Sequence, residues 1–165
     1  MFLGCLPGHK GITGVCMAWG RALTGVRFVS ICSGDLPDFL RGNTEMTRHL
    51  RRFFEHTGES EFAIAAMIGR RCVGLFAFNR HDNSGSPRIE ARGTYVCREY
   101  RRCGLARKLW QRALDAHADC EDVIVAVVAA GGKRLVASIE ASNADRAFEV
   151  VDRTREQQEK MRSAV

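Results

Sequence analysis

Between residues 89 and 115 the spacing of apolar positions changes from that of a strand to that of a helix. Residues 89–96 (IEARGTYV) read as a strand. After a short basic turn, Leu105, Leu109 and Ala113 recur every four residues, with Ala106, Trp110 and Leu114 beside them. One broad apolar face there predicts an amphipathic helix from about Gly104. Upstream, residues 26–31 (VRFVSI) predict a first strand, and Ser33 to Pro37 (SGDLP) breaks it and caps a helix. Leu40, Met46, Leu50, Phe53 and Phe54 supply the apolar side of a helical region to His56, divided at Gly42 and Asn43. Residues 62–68 and 72–78 form a hairpin of central strands across Gly69, Arg70 and Arg71, and residues 79–87 (NRHDNSGSP) form a loop.

Beyond Asp119 the pattern is less decisive. Residues 121–128 (EDVIVAVV) are β-branched enough for a strand but could also extend the helix to Gly131 and Gly132. Residues 134–140 (RLVASIE) are the better strand candidate, and residues 143–164 favour a helix. The glycine-rich residues 1–24 read as an extension ahead of one domain over 25–165. The order strand, helix, hairpin, strand, helix is an α/β pattern with a mixed sheet.

Composition narrows the partners. A length of 165 residues suits one domain, and a net charge of +6 favours anionic partners: a phosphorylated cofactor, an acidic substrate or nucleic acid. No run of 18 apolar residues occurs, and the first residues lack a basic segment followed by an apolar one. The expectation is therefore a cytoplasmic protein with no membrane span. Seven cysteines (5, 16, 32, 72, 97, 103 and 120) form no C-x-x-C pair and no metal-ligand spacing, which predicts free thiols and no metal site.

The charge at the start of the 104–115 helix carries the chemistry. Between Tyr100 and Leu114 there are five positive residues, Arg101, Arg102, Arg107, Lys108 and Arg112, and no negative one. A helix N-terminus already carries partial positive charge and prefers acidic neighbours. Arginines there make sense if an anion sits on the free amides, with Gly104 allowing close approach. A P-loop is excluded because no Lys-Ser or Lys-Thr follows, and a Rossmann turn because only one glycine is present.

Arg101 to Ala106 (RRCGLA), between a strand and a helix, resembles the [Q/R]-x-x-G-x-[G/A] motif of the GNAT N-acetyltransferase superfamily. That resemblance implies a mixed, mostly antiparallel sheet flanked by helices. It implies acetyl-CoA (coenzyme A) as the acyl donor and an amine acceptor, a small molecule or a protein, with nucleic acid or aminoacyl-tRNA as further candidates. It places Arg101, Arg102, Cys103, Gly104, Leu105, Ala106 and Arg107 around the pyrophosphate, and Tyr95 and Val96 along the pantetheine arm beside a β-bulge. Asn143, with Ala144 and Ala147, loosely fits the family's asparagine beside that arm. Glu90 matches by its offset the general base of histone-acetyltransferase-like members; on a regular strand it shares one face with Arg92, Thr94 and Val96. Burial would raise the Glu90 pKa and Arg92 would lower it. The chain departs from the family in having only Tyr95 and Tyr100 as tyrosines, so the usual general acid on the last helix has no counterpart, nor does the Gly-Phe turn into a final strand. The sheet then lacks that strand, or a partner subunit of a homodimer supplies it. Two other readings stand beside the enzyme: a basic nucleic-acid-binding module, and a degenerate family member that binds coenzyme A without turnover.

Overall fold

Apolar runs of six to eleven residues become strands, and the main sheet takes them in chain order. The computed structural model describes residues 17–18, 21–22, 25–32, 34–35, 38–39, 62–82, 86–127 and 130–152. A short ladder, Met17–Ala18 (β1) with Arg21–Ala22 (β2), precedes the main sheet. Val26–Cys32 (β3), Phe62–Ile68 (β4), Arg71–His81 (β5), Arg88–Val96 (β6), Asp122–Val127 (β7) and Ala147–Asp152 (β8) then lie side by side in that order. Pairing is antiparallel from β3 to β6 and parallel from β6 to β8. This is the mixed, mostly antiparallel sheet that the sequence predicts. The β4–β5 turn passes through Gly69 at φ +58°, a backbone state in which a Cβ is unfavourable.

Two helices cover one face of the sheet, Leu105–Ala116 (α1) and Ala130–Glu140 (α2). Leu109, Trp110 and Leu114 of α1 and Val136 and Ile139 of α2 are buried against Phe76, Phe78, Ile89 and Val123. Each such side chain contributes roughly 1.5–3 kcal/mol of burial. A second cluster on the opposite face gathers Ile31, Ala63, Ala65, Leu75 and Ala77, with Tyr95 partly buried against it. On that side Phe39 N–H bonds Asp35 O, consistent with a helix starting after the strand break. The rest of the predicted helical region to His56, and most of residues 1–24, lie outside the described residues.

The later elements correct the sequence reading. Residues 79–81 continue β5 rather than opening a loop, because they pair with Arg88, Ile89 and Glu90. The ambiguous run 121–128 resolves as the strand β7. Residues 134–140 are helical, not extended. Leu135, Ala137 and Ile139 satisfy a period of two by coincidence, whereas the buried positions are Val136 and Ile139, with Ala137 exposed. Residues 147–152, expected as helix, form β8, where Phe148, Val150 and Val151 supply the aromatic and β-branched content that suits a strand. The remainder of the predicted C-terminal helix, beyond residue 152, lies outside the described residues. No described helix is long and apolar enough to cross a membrane.

Candidate active site

The site is built by a strand that leaves its neighbour. β6 pairs with β7 over four residues only, from Arg88 opposite Asp122 to Ala91 opposite Val125. On its other side, β6 pairs with β5 from Arg88 to Val96, with one irregularity: Ala77 opposes Gly93 while Phe78 opposes Ala91. Arg92 is thus the extra residue of a β-bulge, which bends its strand and increases the local twist. The bulge is three residues before the position near Tyr95 and Val96 where the sequence reading put it. Beyond it β6 and β7 diverge, and no described strand pairs with β6 on the β7 side.

The divergence opens a groove of about 600 Å³. Its β6 wall runs from Ala91 to Val96, its α1 side contributes Ala106 and Trp110, and its far wall is Val125, Ala126, Gly131, Gly132, Leu135 and Val136. Arg101 closes one end. Trp110 is held firmly, stacked on Phe76 with ring centroids 4.3 Å apart, and its Nε1–H donates to Thr94 Oγ1 at 2.7 Å.

The groove leads to the start of α1. After β6 a 3₁₀ turn, Arg98–Tyr100, carries the chain round, and Arg101 Nε donates to Val96 O at 2.9 Å, tying the loop to the strand end. Arg102 and Gly104 both have positive φ, +63° and +78°. The first helical bond runs from Lys108 N–H to Gly104 O, so the amides of Leu105, Ala106 and Arg107 precede the ladder, and Gly104 supplies no side chain to cap them. A Cβ at Gly104 would meet nothing within 4 Å. Glycine is therefore required there by backbone conformation, and the space beside it is open.

Of the predicted loop residues, Tyr95, Val96, Arg101 and Ala106 line the groove, and Arg102 and Gly104 shape its end. Leu105 is instead a core anchor, 1% exposed. Cys103 Sγ donates to Tyr100 O at 2.6 Å within the loop. Arg107 donates to Ser142 Oγ, and Arg112 lies over the Phe28 ring at 5.5 Å. Both contacts are made within the domain, and the nucleic-acid reading gains no support from them. Asn143 is not in the groove. It is buried at the end of α2, donating to Ile139 O at 2.7 Å and accepting from Gln111 at 3.2 Å. The strand-to-helix junction beside the groove is β7–α2, one strand earlier than expected, and the chain between them reads Val128-Ala129. The far wall was missed because glycine and valine there carry no chemical signal.

The bulge also separates residues that a regular strand would align. Glu90 opposes Asn79 and Tyr95 opposes Leu75, on the face away from α1. Thr94 opposes Phe76 and bonds Trp110, on the α1 face. Glu90 therefore shares a face with Tyr95, not with Thr94 and Val96. Its carboxylate accepts from Arg92 Nη1 at 2.6 Å and meets His81 Nε2 at 3.0 Å. Burial pushes its pKa up, but the bonds from His81 and Arg92 together outweigh burial and hold it below the ordinary value. His81 was hidden in the expected loop; a strand reading of residues 79–81 would have put it beside Glu90. Among the described residues, no three His, Cys, Asp or Glu side chains gather as a metal site.

The GNAT acetyltransferase family model matches residues 29–144. The chain belongs to the GNAT acetyltransferase family. No curated protein matches it significantly. Solved structures of other GNAT proteins share the fold. One is an aminoglycoside acetyltransferase, meta-AAC0020, from an uncultured soil metagenomic sample, in complex with sisomicin, at 17% identity and a TM-score of 0.54 over 70% of this chain and 88% of that one. The ribosomal-protein-alanine N-acetyltransferase of Brucella melitensis biovar Abortus 2308 is 20% identical, TM-score 0.51, over 69% and 89%. Arabidopsis thaliana NAA60 in complex with acetyl-CoA is 17% identical, TM-score 0.51, over 70% and 85%.

Proposed function

We propose that the protein is an acetyl-CoA-dependent N-acetyltransferase that acts by direct attack of an amine. One observation carries this reading: the groove between diverging β6 and β7 runs to an uncapped helix N-terminus flanked by Arg101 and Arg102. An apolar channel with an exposed strand edge suits a pantetheine arm, which can pair with main chain. The amides of Leu105, Ala106 and Arg107 suit a pyrophosphate. Acetyl-CoA, when bound, supplies the acyl group as a thioester. The chain's part is to hold and orient that group, to polarise its carbonyl with a β6 amide beyond the β7 ladder, and to accept the proton the amine loses.

For that proton, Glu90 is the proposed acceptor. Its lowered pKa keeps it ionised throughout the neutral range, which attracts an ammonium but weakens it as a base, and His81 beside it offers an onward path. Glu90→Gln is expected to lower kcat about tenfold to a hundredfold while the affinity for acetyl-CoA is unchanged. Because the wild-type carboxylate stays charged below its ordinary pKa, the kcat of the wild type should show no acid limb from Glu90 above about pH 5. Equal kcat in Glu90→Gln and the wild type would remove it from the mechanism.

The cofactor is tested by thermal shift with acetyl-CoA, coenzyme A and ATP. Ligand at a hundred times its Kd adds about 2.7 kcal/mol, roughly 5–10 °C for this size. Both coenzyme A species should give this shift and ATP much less. No shift with either coenzyme A species rejects the enzyme reading and the reading as a coenzyme A binder without turnover.

A further inference from the structure

The wall that α2 gives the groove has no side chain that can donate a proton: it consists of Gly131, Gly132, Leu135 and Val136. A side-chain hydrogen bond to a negative charge building on a departing sulfur has to come from elsewhere. Across the groove stands Thr94, two residues past the bulge on the α1 side. The indole N–H of Trp110 can only donate, so in its 2.7 Å bond to Thr94 the threonine oxygen must accept. The hydroxyl hydrogen of Thr94 is then free for another acceptor, and this is the side chain's sole hydrogen bond among the described residues. A hydroxyl hydrogen facing an apolar groove without an acceptor is unfavourable, and a ligand atom that accepts it removes that cost. Trp110, 2% exposed and stacked on Phe76, fixes the oxygen, and its N–H polarises the hydroxyl towards stronger donation.

We propose that Thr94 donates a hydrogen bond to the sulfur of coenzyme A, at the sheet, where α2 offers no donor side chain. This rests on the acetyltransferase reading and adds to it the residue that eases departure of the leaving group. In the transfer, the acceptor nitrogen bonds the acyl carbon while the carbon–sulfur bond breaks and its electron pair stays on sulfur. The proton shed by nitrogen goes to Glu90, sulfur takes one from water, and Glu90 returns its proton to the hydroxide that is left. Amine and thioester become amide and thiol. Thr94 keeps its own proton throughout and contributes only the bond that stabilises sulfur as charge develops.

The test needs no knowledge of the acceptor. Coenzyme A bound to the protein is titrated with pH and its thiolate followed by ultraviolet absorbance. A donor to the thiolate lowers the thiol pKa by about one unit relative to coenzyme A in water, equivalent to about tenfold. Wild type and Thr94→Ser should show this lowering. Thr94→Val and Thr94→Ala should lose it, while calorimetry finds acetyl-CoA affinity within about threefold of wild type. Both remove the acceptor of the Trp110 N–H, but the smaller alanine leaves room for a water to accept it and serves if valine does not fold. Once an acceptor is found, the same variants should lower kcat about tenfold with little change in KM for acetyl-CoA. An identical thiol titration in wild type and Thr94→Val overturns the proposal while leaving the acetyltransferase reading intact. Failure of wild type to bind coenzyme A overturns both.

Discussion

Gly104→Asp is expected to abolish coenzyme A binding, lowering affinity at least about a hundredfold while the protein still folds. Two effects act together. At φ +78° a side chain is strained by roughly 1–2 kcal/mol, which distorts the turn that aims the α1 amides. The aspartate also puts a carboxylate where a pyrophosphate would lie, so like charges meet at the point where the helix and the arginines concentrate positive potential. Nothing lies within 4 Å of the added Cβ, so the packing cost is small and the loss falls on binding rather than on the core. Gly104→Ala separates the contributions, since it carries the strain without the charge and should lose about tenfold. Titration calorimetry of both variants checks this. If Gly104→Asp binds within about threefold of wild type, the anion does not sit at the start of α1.

The largest expected effect on stability is at Arg146. Its guanidinium donates to Leu114 O at 2.9 Å, His117 O at 3.2 Å and Cys120 O at 2.5 Å, closing the C-terminal end of α1, where Leu114 O and His117 O also accept from the main chain. The next residue, Ala147, bonds Glu121 O, so the same contact sets the register in which β8 joins β7. Arg146→Ala leaves Cys120 O without its donor, while Leu114 O and His117 O keep the bonds from His117 N–H and Cys120 N–H, and should cost about 1–3 kcal/mol, a fall in melting midpoint of roughly 3–10 °C. Arg146→Lys, a point donor in place of a fork, should lie between alanine and wild type. A midpoint for Arg146→Ala within about 2 °C of wild type would show that water replaces these bonds without loss.

The parts of the fold legible in the sequence were those fixed by one periodicity. The α1 stripe of Leu105, Leu109 and Ala113 admits no strand reading, and the two apolar runs about Gly69 admit no helix; both formed as expected. Residues 134–140 failed because seven residues can satisfy a period of two and a period of 3.6 together, and only the neighbours decide between them. β8 failed because charged residues around Phe148, Val150 and Val151 suit an exposed edge strand as well as a helix; Val150 is 45% exposed. Gly104 was legible as a necessary glycine, though the deciding reason is its φ. The resemblance pointed to Glu90 by its offset, but its face was not legible, because that depends on Arg92 being one residue too many for its strand. Such a count is invisible until the partner strand is known.

That extra residue bears on how this chain can vary. A groove opened by two strands diverging is held open by the paths of their main chains, whichever apolar side chains line it. Substitution along it alters the lining but leaves the opening, so the sequence is free to drift at most of these positions. Length is a different matter. The spacing from the β6–β7 ladder to the basic turn includes Arg92, and losing or gaining one residue there would reverse which face each following side chain meets. The selective constraint on this segment therefore falls more on the number of residues than on their identity.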